Sequence, residues 1–336
     1  MAAHPRLAVG TLRQGVDGRE MVWALLDALE QQGIRVQTFR AKACFDAVEG
    51  DSLITGLLPR HLDTWLMSPA HCQALVRHAF NKCDLALVQG QFSSVEDENA
   101  ADRGDGGGRL ETLCDWLDLP RLAIVDLANP DPCRLPARLE GLVGVLLDSV
   151  PCRGEFWNWQ TTIEGLWGVP VLGALEALPD VRSALARVRF GEKPDRALLR
   201  ALGESFLRWG RVDQLARLAE RPALEPGVEW PLLRRRQRGR LRVAVALDEA
   251  FSCYFPDTLD TLELCGADVR DFSPLRCDRL PDQTDIVYFG CGHPERHLEA
   301  LHELQQDIEL LRPLLHGAVD ELENRGQSPP KRLKYV

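Results

Sequence analysis

Arg6-Leu-Ala-Val-Gly-Thr-Leu12 is the stretch from which the fold is read. It is a short apolar run that passes into Gly10-Thr-Leu-Arg-Gln-Gly-Val-Asp-Gly18, the pattern of a buried strand entering a glycine-containing loop. A helix is expected next, from Arg19 to Gln32, because Val22, Leu25, Leu26 and Leu29 recur at helical spacing. Gly33 stops it, and Ile34-Arg-Val-Gln-Thr-Phe39 reads as a second strand. The same alternation continues outward. Strands are expected over 83–90, 121–126, 141–147 and 170–173, and helices over 110–117 and 196–223. Residues 99–109 form a Gly/Asp-rich loop. Strands alternating with helices dictate a mostly parallel sheet in an α/β layer.

A second alternation begins after 226–240, a stretch that holds Arg234-Arg-Arg-Gln-Arg-Gly-Arg240. Strands are expected over 241–247, 268–272 and 285–289, with a helix over 256–265 between the first two. The third strand ends in Gly290-Cys-Gly-His-Pro294, and a helix is expected from 295 to 315. The chain is therefore divided into a first domain over 1–225, a linker over 226–240, a shorter domain over 241–320 and a disordered tail over 321–336.

The 336 residues carry a net charge of −10, which argues against a broad nucleic-acid-binding surface. The arginine cluster is read as a solvated linker that balances an acidic protein. No apolar run approaches the roughly 20 residues that span a bilayer, and the first residues lack the apolar core of a signal peptide. The ten cysteines contain no Cys-x-x-Cys pair. They are expected to be reduced and mostly buried, in a cytoplasmic protein.

Five segments in order carry a resemblance to a known family. They are Val243-Ala-Val-Ala-Leu-Asp-Glu-Ala-Phe251, Tyr254-Phe-Pro-Asp-Thr-Leu259, Phe272-Ser-Pro-Leu-Arg276, Arg279-Leu-Pro281 and Gly290-Cys-Gly-His-Pro-Glu295. In the first domain Leu62-Asp-Thr-Trp-Leu-Met67, Asp84-Leu-Ala-Leu-Val-Gln-Gly90 and Gly168-Val-Pro-Val-Leu-Gly173 agree with it, as do Gly10-Thr11 and Gly15-Val16. Over residues 6 to 316 the chain resembles the cobyrinate a,c-diamide synthases. The resemblance implies a P-loop NTPase-like parallel-sheet domain of the dethiobiotin synthetase type, followed by a truncated class I glutamine amidotransferase-like α/β domain. It also implies an ATP-dependent amidoligase of corrinoid synthesis, which activates ring carboxylates by phosphorylation and displaces the phosphate with ammonia drawn from glutamine.

The residues that would perform this chemistry are altered. The resemblance places a phosphate loop at Gly10, Thr11, Gly15, Gly18 and Arg19. Such a loop needs a Lys for the β/γ-phosphates and a Ser or Thr for Mg²⁺, and here Gly18 or Arg19 takes the Lys position with no hydroxyl beside it. Asp17 and Glu20 add negative charge where a triphosphate would sit. The family glutamate that would face Mg²⁺ is Gln89, and a family aspartate falls at Cys44. Asp46, Glu96 and Asp126 are the nearby carboxylates. ATP and Mg²⁺ are therefore doubtful cofactors. No cysteine stands where the glutaminase nucleophile is due, and glutaminase activity is not expected. Cys291 replaces a loop glycine and is expected to be a small buried filler; His293 and His297 lack a third ligand for a metal. Asp63 and Trp65 keep a family motif, with Trp65 either packing the core or, with Asp63, lining a retained ligand cleft. The expectation is a catalytically degenerate relative that holds a nucleotide- or corrinoid-type cleft and acts as a binding or partner subunit. The alternative is an active ligase fed with ammonia from elsewhere. A corrinoid or tetrapyrrole ligand and a homodimer or protein partner go with the first reading, the sheet edge near 285–289 supplying the contact.

Overall fold

The central strands of the seven-stranded first sheet are apolar on both faces, as strands covered by helices on each side must be. In β1 (Arg6–Thr11) every residue is buried. Leu7 and Val9 join one core while Ala8 joins the other, the period-2 alternation of a strand with two dry faces. The computed structural model describes residues 3–12, 16–44, 50–92, 109–128, 135–189, 192–225, 241–276 and 278–297. Two compact units divide the chain: Met1–Arg236 with Phe255–Cys265, and Gln237–Tyr254 with Gly266–Val336.

In the first unit β1 is followed by α1 (Arg19–Gln31), β2 (Val36–Arg40), α2 (Asp51–Thr55), β3 (Arg60–His61), α3 (Pro69–Ala79) and β4 (Leu85–Gln91). Then come α4 (Leu110–Leu117), β5 (Arg121–Asp126), β6 (Leu142–Val150), α5 (Arg153–Trp167) and β7 (Val171–Glu176). Helices α6 (Pro179–Leu185), α7 (Arg196–Leu207) and α8 (Val212–Ala219) follow. The strand order is β3-β2-β4-β1-β5-β6-β7, and every pairing is parallel. Helices α3, α4 and α5 cover one face through Leu75, Leu113 and Phe156; α1, α7 and α8 cover the other through Leu25, Phe206 and Leu215.

Helix α1 is buried along almost its whole length, including Asp27 at 0% exposure. It can lie close to α7 because Gly203 leaves room: a Cβ there would run into the Asp27 carboxylate. Burial pushes the Asp27 carboxyl above its ordinary range, although Gln31 donates to it at 2.7 Å and Arg196 sits 3.4 Å away. The helix expected over 196–223 is two helices. Gly210 separates them, packed on the Phe206 ring, with its N–H bonded to the Phe206 carbonyl. The sequence reading did not place α2, β3, α3, α5 or α6.

Helix α9 (Pro256–Leu264) groups with the first unit. The buried Arg60 of β3 holds it there, pairing with Asp257 and, at 2.5 Å, with Asp260. His78 Nε2 lies 3.6 Å from the same Asp260 oxygen.

The second unit holds β8 (Arg242–Ala246), β9 (Asp268–Phe272) and β10 (Ile286–Tyr288) in the parallel order β10-β8-β9. Its motifs are tied to one another. Asp248 accepts from the Ala250 and Phe251 N–H groups with one oxygen, and from Ser273 Oγ and the Leu275 N–H with the other. Tyr254 Oη donates to the Ala246 carbonyl and accepts from the Gly290 N–H at 2.7 Å. The helix expected from 295 begins as a 3-10 turn, Pro294–Arg296; its remainder from 298, the 226–240 linker and the 321–336 tail lie outside the described residues.

Candidate functional site at the carboxyl ends of the first sheet

All seven strands run parallel, so their C-terminal ends bring Thr11, Arg40, Asp63, Gln89, Asp126 and Asp148 to one edge, where α/β sheets bind ligands. Thr11 and Gly18 touch: a Cβ on Gly18 would lie 2.8 Å from Thr11 Cγ2 and from Ile124 Cδ1. Gly18 caps α1 without a side-chain hydrogen bond. Gly10 lies within the strand, where a Cβ would meet Leu110 and Phe92 at 2.7 and 2.9 Å, so its want of a side chain serves close packing of α4. Gly15, Asp46 and Glu96 lie outside the described residues.

The first turn of α1 carries its own counter-charges. Asp17 Oδ1 accepts the Arg19 N–H at 3.0 Å, and Asp17 Oδ2 lies 2.8 Å from the Arg19 guanidinium. That guanidinium stacks over the Trp23 ring, 5.3 Å from its centroid. Glu20 pairs with Arg182 at 2.5 Å, and Arg182 also pairs with the buried Asp148. Burial holds both carboxyls above the ordinary range, and the Arg182 charge opposes that shift. Ser149, beside Asp148, has a φ of 60° in the left-handed region, and its N–H donates to Asp148 Oδ1 at 2.7 Å.

Gln89 turns its amide nitrogen, not its oxygen, toward Asp51. Its amide nitrogen donates to Asp51 Oδ2 at 2.7 Å, while Asp51 Oδ1 accepts the Trp23 indole N–H at 2.8 Å. The amide orientation follows from this network, since a carboxylate can only accept. Mg²⁺ calls for anionic oxygens aimed at one point. Here the one carboxylate at this position is engaged at both oxygens, so the residues do not fit the ion. Among the described residues no group of three or more His, Cys, Asp or Glu side chains is placed to hold a metal. His293 Nδ1 instead lies 2.9 Å from Glu295.

Asp63 is 5% exposed and braces a turn: it accepts from the Ala43 N–H at 3.0 Å and the Trp65 N–H at 2.9 Å. The structure does not connect it to Gln89. Trp65 corrects the core-packing expectation, being 77% exposed, with Leu66 beside it at 59%. The cysteine expectation also needs correction. Only Cys72, Cys83 and Cys114 are buried among the described cysteines; Cys44, Cys152, Cys265 and Cys291 are exposed. Cys291 is therefore not a buried filler.

Asp51, Asp148 and Arg182 are the members of this site that sequence reasoning missed. Asp148 ends a long apolar run, a position that could have marked it. Asp51 and Arg182 sit in short helices with no such signal.

The strand order defines a parallel α/β domain with helices on both faces, and a second α/β unit follows in the chain. Over about nine tenths of its length the chain is similar to cobyrinate a,c-diamide synthases. It is 27% identical over 315 residues to the cobyrinate a,c-diamide synthase of Syntrophotalea carbinolica, covering 90% of this chain and 67% of that protein. With that of Synechocystis sp. it is 29% identical over 330 residues, covering 90% and 65%. With that of Priestia megaterium it is 23% identical over 318 residues, covering 90% and 67%. The chain thus spans about two thirds of the length of the curated relatives it matches. No family model matches it. Among solved structures it is similar to the MinD cell division protein of Aquifex aeolicus, at 12% identity and a TM-score of 0.39, covering 64% of this chain and 94% of that one. No described helix is long and apolar enough to cross a membrane.

Proposed function

We propose that this chain is a non-catalytic member of its family that binds a corrinoid or related tetrapyrrole ring and works as a binding or partner subunit. The observation that carries the reading is the closed Gln89–Asp51–Trp23 network, in which the side chains that would face Mg²⁺ bond to one another. Asp17 adds to it. A carboxylate about 4 Å from a phosphate oxygen, at an effective dielectric of about 20, opposes binding by roughly 4 kcal/mol per charge pair before screening. What is kept supports a ring ligand. Trp65 offers an exposed aromatic face on a turn that buried Asp63 holds in place, as stacking on a flat macrocycle requires.

Titration calorimetry with Mg-ATP is expected to give no saturable heat. A cobyrinate-type corrinoid is expected to quench tryptophan fluorescence saturably, and W65A should weaken its binding by about tenfold. Micromolar Mg-ATP binding would sink the proposal. It would favour the second reading, an amidoligase using free ammonia, which Arg19 supports as the one cation at the first turn of α1.

A partner strand belongs to the same proposal. In the described sheet β10 stands at an edge, with Ile286 and the adjoining Phe289 each 46% exposed. Light scattering at micromolar concentration is expected to report a dimer; a monodisperse monomer would remove self-association from the reading.

A further inference from the structure

Within the second unit one antiparallel bridge sets Cys253 directly opposite Cys291. The Cys253 N–H donates to the Cys291 carbonyl at 2.9 Å, and neither residue is in a disulfide. Directly opposed residues of an antiparallel pair have Cα atoms about 4.5–5.5 Å apart, inside the span of about 4.4–6.8 Å that a disulfide needs. Further hydrogen bonds on each side hold the two backbones together. Gly290 N–H bonds to Tyr254 Oη at 2.7 Å, and His293 N–H bonds to the Ala250 carbonyl at 2.9 Å. Gly290 lies against the Tyr254 ring and Gly292 against the Ala250 carbonyl, so closely that neither has room for a side chain.

The remaining described cysteines differ. Burial pushes the thiols of Cys72 and Cys114 up to about 12 and that of Cys83 to about 11, which keeps them protonated and inert. Cys44, Cys152 and Cys265 are exposed, but no described strand or bridge pairing places another cysteine opposite them. Cys291 is exposed and Cys253 half-buried, so a small oxidant reaches the first, with the second directly opposite it.

We propose that Cys253 and Cys291 form a reversible redox modification site that takes a low-molecular-weight disulfide such as oxidised glutathione. The Cys291 thiolate attacks one sulfur of the small disulfide and releases one thiolate, leaving a mixed disulfide. The Cys253 thiolate then attacks Cys291 Sγ and releases the second. Two protein thiols are oxidised, one small disulfide is reduced to two thiols, and two protons leave with them. The product ties the Gly290–Gly292 loop covalently to the segment before α9. The inference does not rest on the proposed ligand or on the nucleotide reading.

The test is to incubate the full chain with oxidised glutathione, block remaining thiols with an alkylating agent and map the peptides by mass spectrometry. The expected result is joint loss of alkylation at Cys253 and Cys291, with a Cys253–Cys291 linked peptide lighter by two hydrogens and restored by a reducing agent. The link should survive C265S and vanish in C253S. Stable glutathione adducts on Cys291 with Cys253 still alkylated, or Cys291 linked in the parent protein to a different cysteine, would overturn the proposal. The wild-type map decides the matter even where a variant folds poorly.

Discussion

Replacing Arg60 with methionine is expected to destabilise the first unit by about 3 kcal/mol, the lower end of what removing one partner of a buried ion pair costs. Arg60 is 5% exposed and faces two carboxylates, Asp257 and Asp260, which retain only a little water contact. Burial already lifts the Asp257 carboxyl above its ordinary range, with Arg60 pulling the other way. Without the guanidinium the two aspartates repel each other and must take up a proton or draw in water. The triple variant R60M/D257N/D260N should recover most of the loss, because replacing all the charges removes the unpaired remainder. Urea unfolding of the three proteins checks this. A single variant as stable as the parent would mean that the contact contributes nothing measurable.

The second large effect is expected at Arg182. R182M leaves Glu20 and the buried Asp148 facing each other with no cation between them, at a cost of about 3–5 kcal/mol near neutral pH. Burial raises both carboxyls in the folded protein, and Arg182 now counters that rise, so its removal raises them further. A carboxyl raised on folding favours the folded state when protonated. Its stabilising contribution is present below the unfolded value, about 4, and is lost as pH climbs through the folded value. The deficit of R182M should therefore be full at about pH 7.5 and should shrink at about pH 5. Equal deficits at the two values would show that the loss comes from packing alone.

The strand-and-helix alternation was legible because the strands are short apolar runs and α1 carries its apolar residues at helical spacing. Two of the elements that escaped lack such signals, whereas α5 carries Phe156, Trp159, Ile163 and Trp167 at helical spacing and went unread. Strand β3 is two residues long and charged, and α2 spans five residues. The phosphate-loop positions were found from resemblance alone, and resemblance gives position without orientation. It located Gln89 but not the turn of its amide toward Asp51, which depends on a residue thirty-eight positions away. It located Trp65 but not its exposure. The motifs of the second unit were legible as words; their hydrogen bonds, Asp248 to Ser273 and Tyr254 to Gly290, explain why those words travel together.

Helix α9 has a consequence for how the protein can be taken apart. It is encoded between β8 and β9 yet groups with the first unit. The first unit is thus not one uninterrupted piece of chain. A gene ending between residues 225 and 241 would express a fragment with Arg60 stripped of both its carboxylates, and a gene beginning there would carry a helix whose charged side is left without its cation. No single cleavage yields two complete parts. Moving the first unit into another protein must carry two chain segments together, 1–236 and 255–265.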